Sequence, residues 1–469
     1  MTIKSIDKII KTLIFLAAFL LPLIMSPRNF DAFDLIKATT LYTLSALLLF
    51  FYFLKIFLSG KIKYYKSNFH LPLFVFFTVA LISLIFSATP FASIYGEYGR
   101  YETIQTIFGY ILLFFFAHQY LRDEKDQEKL LILIFVAYFF IILYGIAQGF
   151  RWDFLPDFMQ RPELRSRSTL GNAVFFGGYL ATTLPLLLNG IFFKENIFFK
   201  NLNFKFKIPH YLIISILVPA GIVASFFAES RGAWLGMAAG FLFLLAFRLK
   251  ELRFNYNKLI LLLVIGLMLS FTLLYFSSHG DVSSKIDYLS GRAKSMFILS
   301  GGSGATRIEI WKGCLKMIKD KPLTGFGLDH MLYWFPNYRT FRYANIEGEM
   351  TMPDRAHNEY LQMGVNMGVF GVFAFFWILS LWALTIIPRL KSKNLLFIGF
   401  VSGLVGYLVQ AFFSISIIGL MSLFWIFISI TSIKSREKIT EYNFSLPQAV
   451  RVFFIFFFLI LALIAITFS

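Results

Sequence analysis

Apolar stretches of membrane-crossing length recur along almost the whole chain, separated by short polar gaps. About 17–25 predominantly apolar residues cross roughly 30 Å of hydrocarbon as a helix. On that length the pattern predicts spans at 9–26, 35–58, 70–88, 104–121, 129–149, 172–193, 209–228, 231–248, 259–277, 359–387, 395–413, 415–433 and 450–468. The runs are continuous rather than alternating, which excludes a transmembrane β-barrel. The expected fold is an all-α polytopic membrane protein with about 12–13 transmembrane helices. Lys4, Lys8 and Lys11 precede the first run as in a signal peptide, but no small-residue cleavage site follows, so this run is expected to remain as the first helix.

The polar gaps alternate in character. KIKYYK (61–66), RDEKDQEK (122–129), KENIFFKNLNFKFK (194–207), RLKELRFNYNK (248–258), PRLKSK (388–393) and KSREK (434–438) are rich in basic residues. Basic loops stay cytoplasmic, so these gaps and the N-terminus are assigned to that side. Residues 27–34, 89–103, 150–171, the turn at Glu229–Arg231 and the long insert 278–358 then face the exterior or periplasm. The chain divides into about nine N-terminal helices in 1–277, an extracytoplasmic loop subdomain in 278–358, and about four C-terminal helices in 359–469. Within the insert, Ala305 to Asp320 reads as a helix capped by Ser303 or Thr306. Ile308, Trp311, Leu315 and Ile318 form its apolar stripe, and Pro322 stops it. Residues 285–299 read as a second, interfacial helix.

Composition agrees with the pattern: 58% of residues are hydrophobic and only 15% charged, against about 25% in soluble domains. The formal charge of +18 is spread over the gaps between spans. It therefore marks orientation and anionic lipid rather than nucleic acid. Cys314 is the single cysteine, which leaves no internal disulfide and no thiolate metal cluster. Span centres are nearly free of charge, unlike those of ion-coupled transporters, so the chemistry is expected at the outer mouth.

His279, His330 and His357 lie in the insert, and His357 opens the span that follows it, flanked by Asp354, Arg355 and Glu359. A neutral imidazole there can take a proton from a hydroxyl near physiological pH, or the histidine can simply cap the helix or anchor at the headgroups. Arg231 starts a span in which Gly232, Gly236 and Gly240 recur every four residues, a spacing that brings helices close together. Arg307 falls in the expected first turn of the insert helix, where free amides favour an anion. Arg165 and Arg167 precede another span. Guanidinium groups grip phosphate oxygens with paired hydrogen bonds, or they pair with lipid phosphate or a nearby acid. No Asp-x-Asp occurs and no acid/histidine cluster has metal-ligand spacing, so no metal or other cofactor is expected. Trp311, Tyr333, Trp334 and Tyr338 either pack the insert or stack on sugars.

SRGAWLGM (230–237), ATRIEIWKGCLKMIKDKPLTGFG (305–327) and AHNEYLQMGVNMGVFG (356–371), with RSRSTLGNAVFFGGYL (165–180), resemble the O-antigen ligase family of bacterial envelope enzymes. The resemblance implies a GT-C-type glycosyltransferase of the bacterial inner membrane, with its N-terminus cytoplasmic and its active site outside. It implies metal-independent, inverting transfer of a glycan from undecaprenyl diphosphate to an acceptor hydroxyl on a lipid A-core, a glycan or a protein. His357 matches the family's catalytic histidine; Arg231 and Arg307, and less uniformly Arg167, match its diphosphate-binding arginines. A polymerase and a protein O-oligosaccharyltransferase share the family, while a lipid-linked sugar transporter and a non-enzymatic scaffold are rivals from other classes.

Overall fold

A computed structural model of the chain describes residues 2–155, 165–192, 210–252, 302–391 and 394–434, with shorter stretches at 437–443 and between 447 and 463. The expected span 259–277, the interfacial helix 285–299 and His279 lie outside the described residues, apart from isolated positions. The described chain is predominantly helical. Five of its helices are long and apolar enough to cross a membrane, and four shorter apolar ones accompany them, as in a multi-pass membrane protein.

The helices are α1 (Ile3–Leu23), α2 (Asp34–Ser59), α3 (His70–Ile85), α4 (Pro90–Tyr95), α5 (Ile104–Tyr120), α6 (Glu124–Gly149), α7 (Ala173–Asn189), α8 (His210–Ala228) and α9 (Arg231–Leu252). After the insert begins come α10 (Gly302–Asp320), α11 (Met331–Trp334), α12 (Phe341–Glu347), α13 (Glu359–Ile386), α14 (Leu395–Ala411) and α15 (Ile418–Ser432). Polar side chains set several of the starts: the side chains of Thr103, Asn172, Asn358 and Asn394 accept from amides of α5, α7, α13 and α14.

Small residues govern the packing of α7, α9 and α14. A Cβ at Gly236 would meet the Gly406 carbonyl, one at Gly240 would meet Pro185 and the Ser402 carbonyl, and one at Gly406 would strike the Ala181 carbonyl. Bare backbone on each helix lets the three axes approach, and dispersion between them holds the junction where lipid offers no hydrophobic drive. The four-residue glycine spacing in α9 therefore does what the sequence implied, and it seats Arg231 at the start of a tightly held helix.

Among the described residues, the connectors gather at opposite ends of the bundle. At one end, β1 (Lys61–Tyr65) pairs antiparallel with β2 (Ile439–Asn443), Lys61 opposite Asn443 and Tyr65 opposite Ile439. Glu437 there meets Arg122 at 2.6 Å and His118 at 3.3 Å, and Lys55 meets Asp7 at 2.6 Å. The pairing of two polar connectors as strands was not foreseen; residues so distant in sequence carry no local signal of it. At the other end, Arg100 joins Asp354 and Asp34, and Lys37 donates to the carbonyls of Ile24 and Thr169 at 2.8 and 2.7 Å.

Span 359–387, expected as one helix, is broken at Gly368, with φ 67° and ψ −168°. The insert completes it. The amides of Phe326 and Gly327 donate to the carbonyls of Val365 and Asn366, and Val369 donates to the Pro322 carbonyl at 2.7 Å. Ser83 of α3 also donates to the Asn366 carbonyl, at 2.6 Å. A free carbonyl inside a bilayer is costly, so irregular backbone survives there only where protein satisfies it. Gly325 and Gly327 both have positive φ, and a Cβ at Gly325 would collide with the backbone of Asn366. The stretch KPLTGFG thus acts as a loop docked into a discontinuous helix.

The insert helix α10 differs from expectation in three respects. It begins at Gly302, not Ala305, and Thr306 donates to Glu347 at 2.5 Å instead of capping. Its buried face is Ile310, Cys314 and Met317, flanked by Trp311 and Ile318, while Leu315 is 56% exposed. These residues form a separate core with Phe326, Met331, Phe335, Tyr343, Ala356 and Val365. The neighbour that α10 packs against selects its face, and that neighbour is the broken helix α13 and the loop before it.

Candidate active site

The loop 354–358 enters α13 under constraint from both sides. Asn358 occupies the N-cap, its side chain accepting from the amides of Tyr360 and Leu361 at 3.0 and 3.1 Å. His357 is therefore released from the capping role that its position allowed. It adopts φ 50°, a left-handed conformation that is uncommon for residues other than glycine and that concentrates at functional sites. Ala356 is fully buried; its carbonyl accepts from Trp311 Nε1 at 3.0 Å, and its amide donates to Gln362. Arg355 is 3% exposed and ion-paired with Asp329. Asp329 in turn accepts from the Glu102 amide at 3.1 Å. With its neighbours held on both sides, the imidazole is half-buried.

Burial, then the cationic Arg307, push the His357 imidazole down to about 4. It is consequently neutral at physiological pH and can accept a proton. Arg307 itself is lowered to about 10 by burial and by the charges of Arg231 and Arg165, so it stays cationic. Two guanidinium groups thus act on that of Arg307, which in turn acts on the imidazole. Arg165 also donates to the carbonyls of Ala228 and Glu229 at 3.0 and 3.3 Å, immediately before Arg231. Clustering like charges is unfavourable in partly buried surroundings, and a bound polyanion would relieve it.

Arg231 acts on Arg307, and Arg307 acts on His357. Arg307 lies in the second turn of α10, because the helix starts three residues early; its own charge and not the helix terminus would attract an anion. The Arg167 guanidinium is 3.5 Å from Asp153 and lies over the Phe33 ring at 5.3 Å. Arg165, which the sequence assigns first to lipid phosphate or a nearby acid, acts on Arg307. No local signal separates the two arginines, since both stand in one polar stretch.

The loop carries a further partner absent from the sequence reading. Arg100 Nε donates to Asp354 at 2.6 Å. Burial raises the Asp354 carboxyl, but Arg100, Arg355 and His357 outweigh it and hold it below its ordinary range. His330 is structural: its ring nitrogens lie 2.7 Å from the Leu328 carbonyl and 2.7 Å from Thr89 Oγ1. Trp311, Trp334 and Tyr338 pack within the insert; Tyr333 is 53% exposed and bonded to Glu97. An apolar groove of about 860 Å³ runs from Tyr360 and Leu361 along Val369, Phe373 and Val79.

Replacing Arg307 by Gln removes a cation from beside His357, so the imidazole should protonate at a higher pH than in the parent. Histidine-selective NMR of the protein in nanodiscs measures this directly. An unchanged titration would separate the two residues.

One relative is an uncharacterized protein of Haemophilus influenzae, 25% identical over 190 residues that cover 38% of this chain and 44% of that one. The match thus spans under half the length of that relative. Residues 209–376, which contain Arg231, Arg307 and His357, match the O-antigen ligase family model, so this part of the chain is similar to that family.

Proposed function

We propose that the protein transfers a glycan from undecaprenyl diphosphate to an acceptor hydroxyl at the outer face of the bacterial inner membrane, with its N-terminus in the cytoplasm and a GT-C-type architecture. The observation that supports this reading is that Arg231 and Arg165 act on the Arg307 guanidinium, which in turn acts on a neutral imidazole. Arg231, Arg307 and Arg165 hold the diphosphate of the donor. The acceptor oxygen attacks the anomeric carbon as its proton passes to His357. The bond from that carbon to the diphosphate oxygen breaks, its electron pair stays on the diphosphate, and the guanidinium groups stabilise the charge that develops there. Direct displacement inverts the anomeric centre. The apolar groove beginning one turn from His357 suits the lipid part of such a donor.

Incubating the purified protein with radiolabelled undecaprenyl-diphosphate glycan and candidate acceptors tests the reading: label should move to one of a lipid A-core, a polysaccharide or a protein. The acceptor that gains label separates ligase, polymerase and protein glycosyltransferase. Release of labelled donor across a sealed bilayer without any transfer product would favour a transporter instead. Because arginines supply the positive charge, EDTA should leave the rate unchanged; a strict requirement for added Mg²⁺ would contradict this charge handling.

A further inference from the structure

A second cavity of about 230 Å³ opens beside the His357 loop, between the loop after α1, the segment before α5 and the start of α7. We propose that it is a saccharide subsite that seats one neutral sugar ring of the acceptor. Assigning it to the acceptor rests on the transfer reading above; that it binds sugar does not.

The cavity is built from hydrogen-bonding groups whose charges are already balanced. Arg100 bonds to Asp354 at 2.6 Å and lies 3.8 Å from Asp34, while Arg167 faces Asp153 at 3.5 Å. Asp31 accepts from the amides of Phe33, Asp34 and Leu35, each at 3.0 Å. A diphosphate would find no excess of positive charge here, in contrast to the group around Arg307. Hydroxyls would find forked guanidinium donors and carboxylate acceptors held in fixed directions, the arrangement that orients a polar ligand in a pocket.

Aromatic rings complete the fit. Phe30 is 84% exposed and Tyr98 58% exposed, their centroids 6.1 Å apart and inclined by 39°. Both line the cavity. The C–H face of a pyranose presents apolar surface to such rings while its hydroxyls turn to the polar floor, the two-sided contact that suits amphipathic aromatic sites. Its place is the second reason. Arg100 lines the cavity and anchors Asp354, three residues before His357, and both side chains act on that imidazole. A ring seated against Arg100 rests on the short loop that carries the base.

The test uses the full chain in nanodiscs and saturation-transfer NMR with methyl α-glucoside, methyl β-galactoside and N-acetylglucosamine. At least one should bind saturably. Phe30→Ala/Tyr98→Ala should weaken it about tenfold or more, a change of about 1.4 kcal/mol, and Tyr98→Trp should retain it. Both rings are solvent-facing, so the double variant should keep its thermal unfolding temperature. Absence of saturable binding in the parent, or undiminished binding in the double variant, overturns the proposal. So does a double variant that changes only its partition into vesicles, since the rings would then be interfacial anchors. If glycoside binds as stated but no labelled glycan is ever transferred, the transfer reading fails and the saccharide site stands. If transfer proceeds with an unchanged acceptor KM in the double variant, the subsite fails and transfer stands.

Discussion

His357→Asn should lower glycan transfer by about 10²–10⁴-fold, the usual contribution of a positioned general base, while the protein folds and inserts as before. Asparagine tests the imidazole more cleanly than alanine. The native backbone at this position is left-handed, with φ 50°, a conformation that asparagine tolerates and that costs most other residues about 1–2 kcal/mol. The helix cap survives either change, since Asn358 provides it. Loss of rate therefore reports the base and not the entry into α13. Transfer of label by the purified variant, read beside its thermal unfolding, decides the matter; a parental rate in the asparagine variant would remove His357 from the chemistry. In the parent, with the imidazole at about 4, the rate should be flat near neutral pH and fall only as the pH drops through about 4.

Arg231→Ala and Arg307→Ala should each lower transfer by about 10²–10³-fold, as removal of a preorganised electrostatic donor does elsewhere. Lysine at either position should restore only part of the rate, because an ammonium cannot make the paired contact of a guanidinium. The sign of a second effect separates this role from a structural one. Arg307 is disfavoured as a cation by burial and by Arg231 and Arg165, so without donor the alanine variants should unfold no more easily than the parent. The parent should gain stability on adding undecaprenyl diphosphate, since a ligand that binds only the folded state raises it by mass action. The variants should lose that gain. A variant destabilised without ligand, yet still stabilised by the donor, would mark these arginines as scaffold.

Several elements were legible because their signals are local. Twenty apolar residues must become a helix in lipid, whatever their neighbours, and the helices α2, α6, α8 and α9 lie where the hydropathy places them. The glycine spacing of α9 announced a close approach. The break at Gly368 was not legible. A glycine in an apolar run is common in membrane helices, and only the docked loop 322–327 supplies the amides that make a break tolerable. The ion pair of Arg100 with Asp354 and the buried pairing of Arg355 with Asp329 were equally silent.

The sequence by itself determined that this chain is a helical, multi-pass membrane protein, and which residue types are available for anion binding and proton transfer. Both follow from local chemistry: the length of an apolar run and the identity of a side chain. Tertiary structure alone decided which arginines act together, that His357 is left neutral and uncapped, and that a broken helix is completed by the insert. Those outcomes depend on burial and on charges brought together across long stretches of chain, and electrostatic energy is set by distance in space and by the surrounding medium.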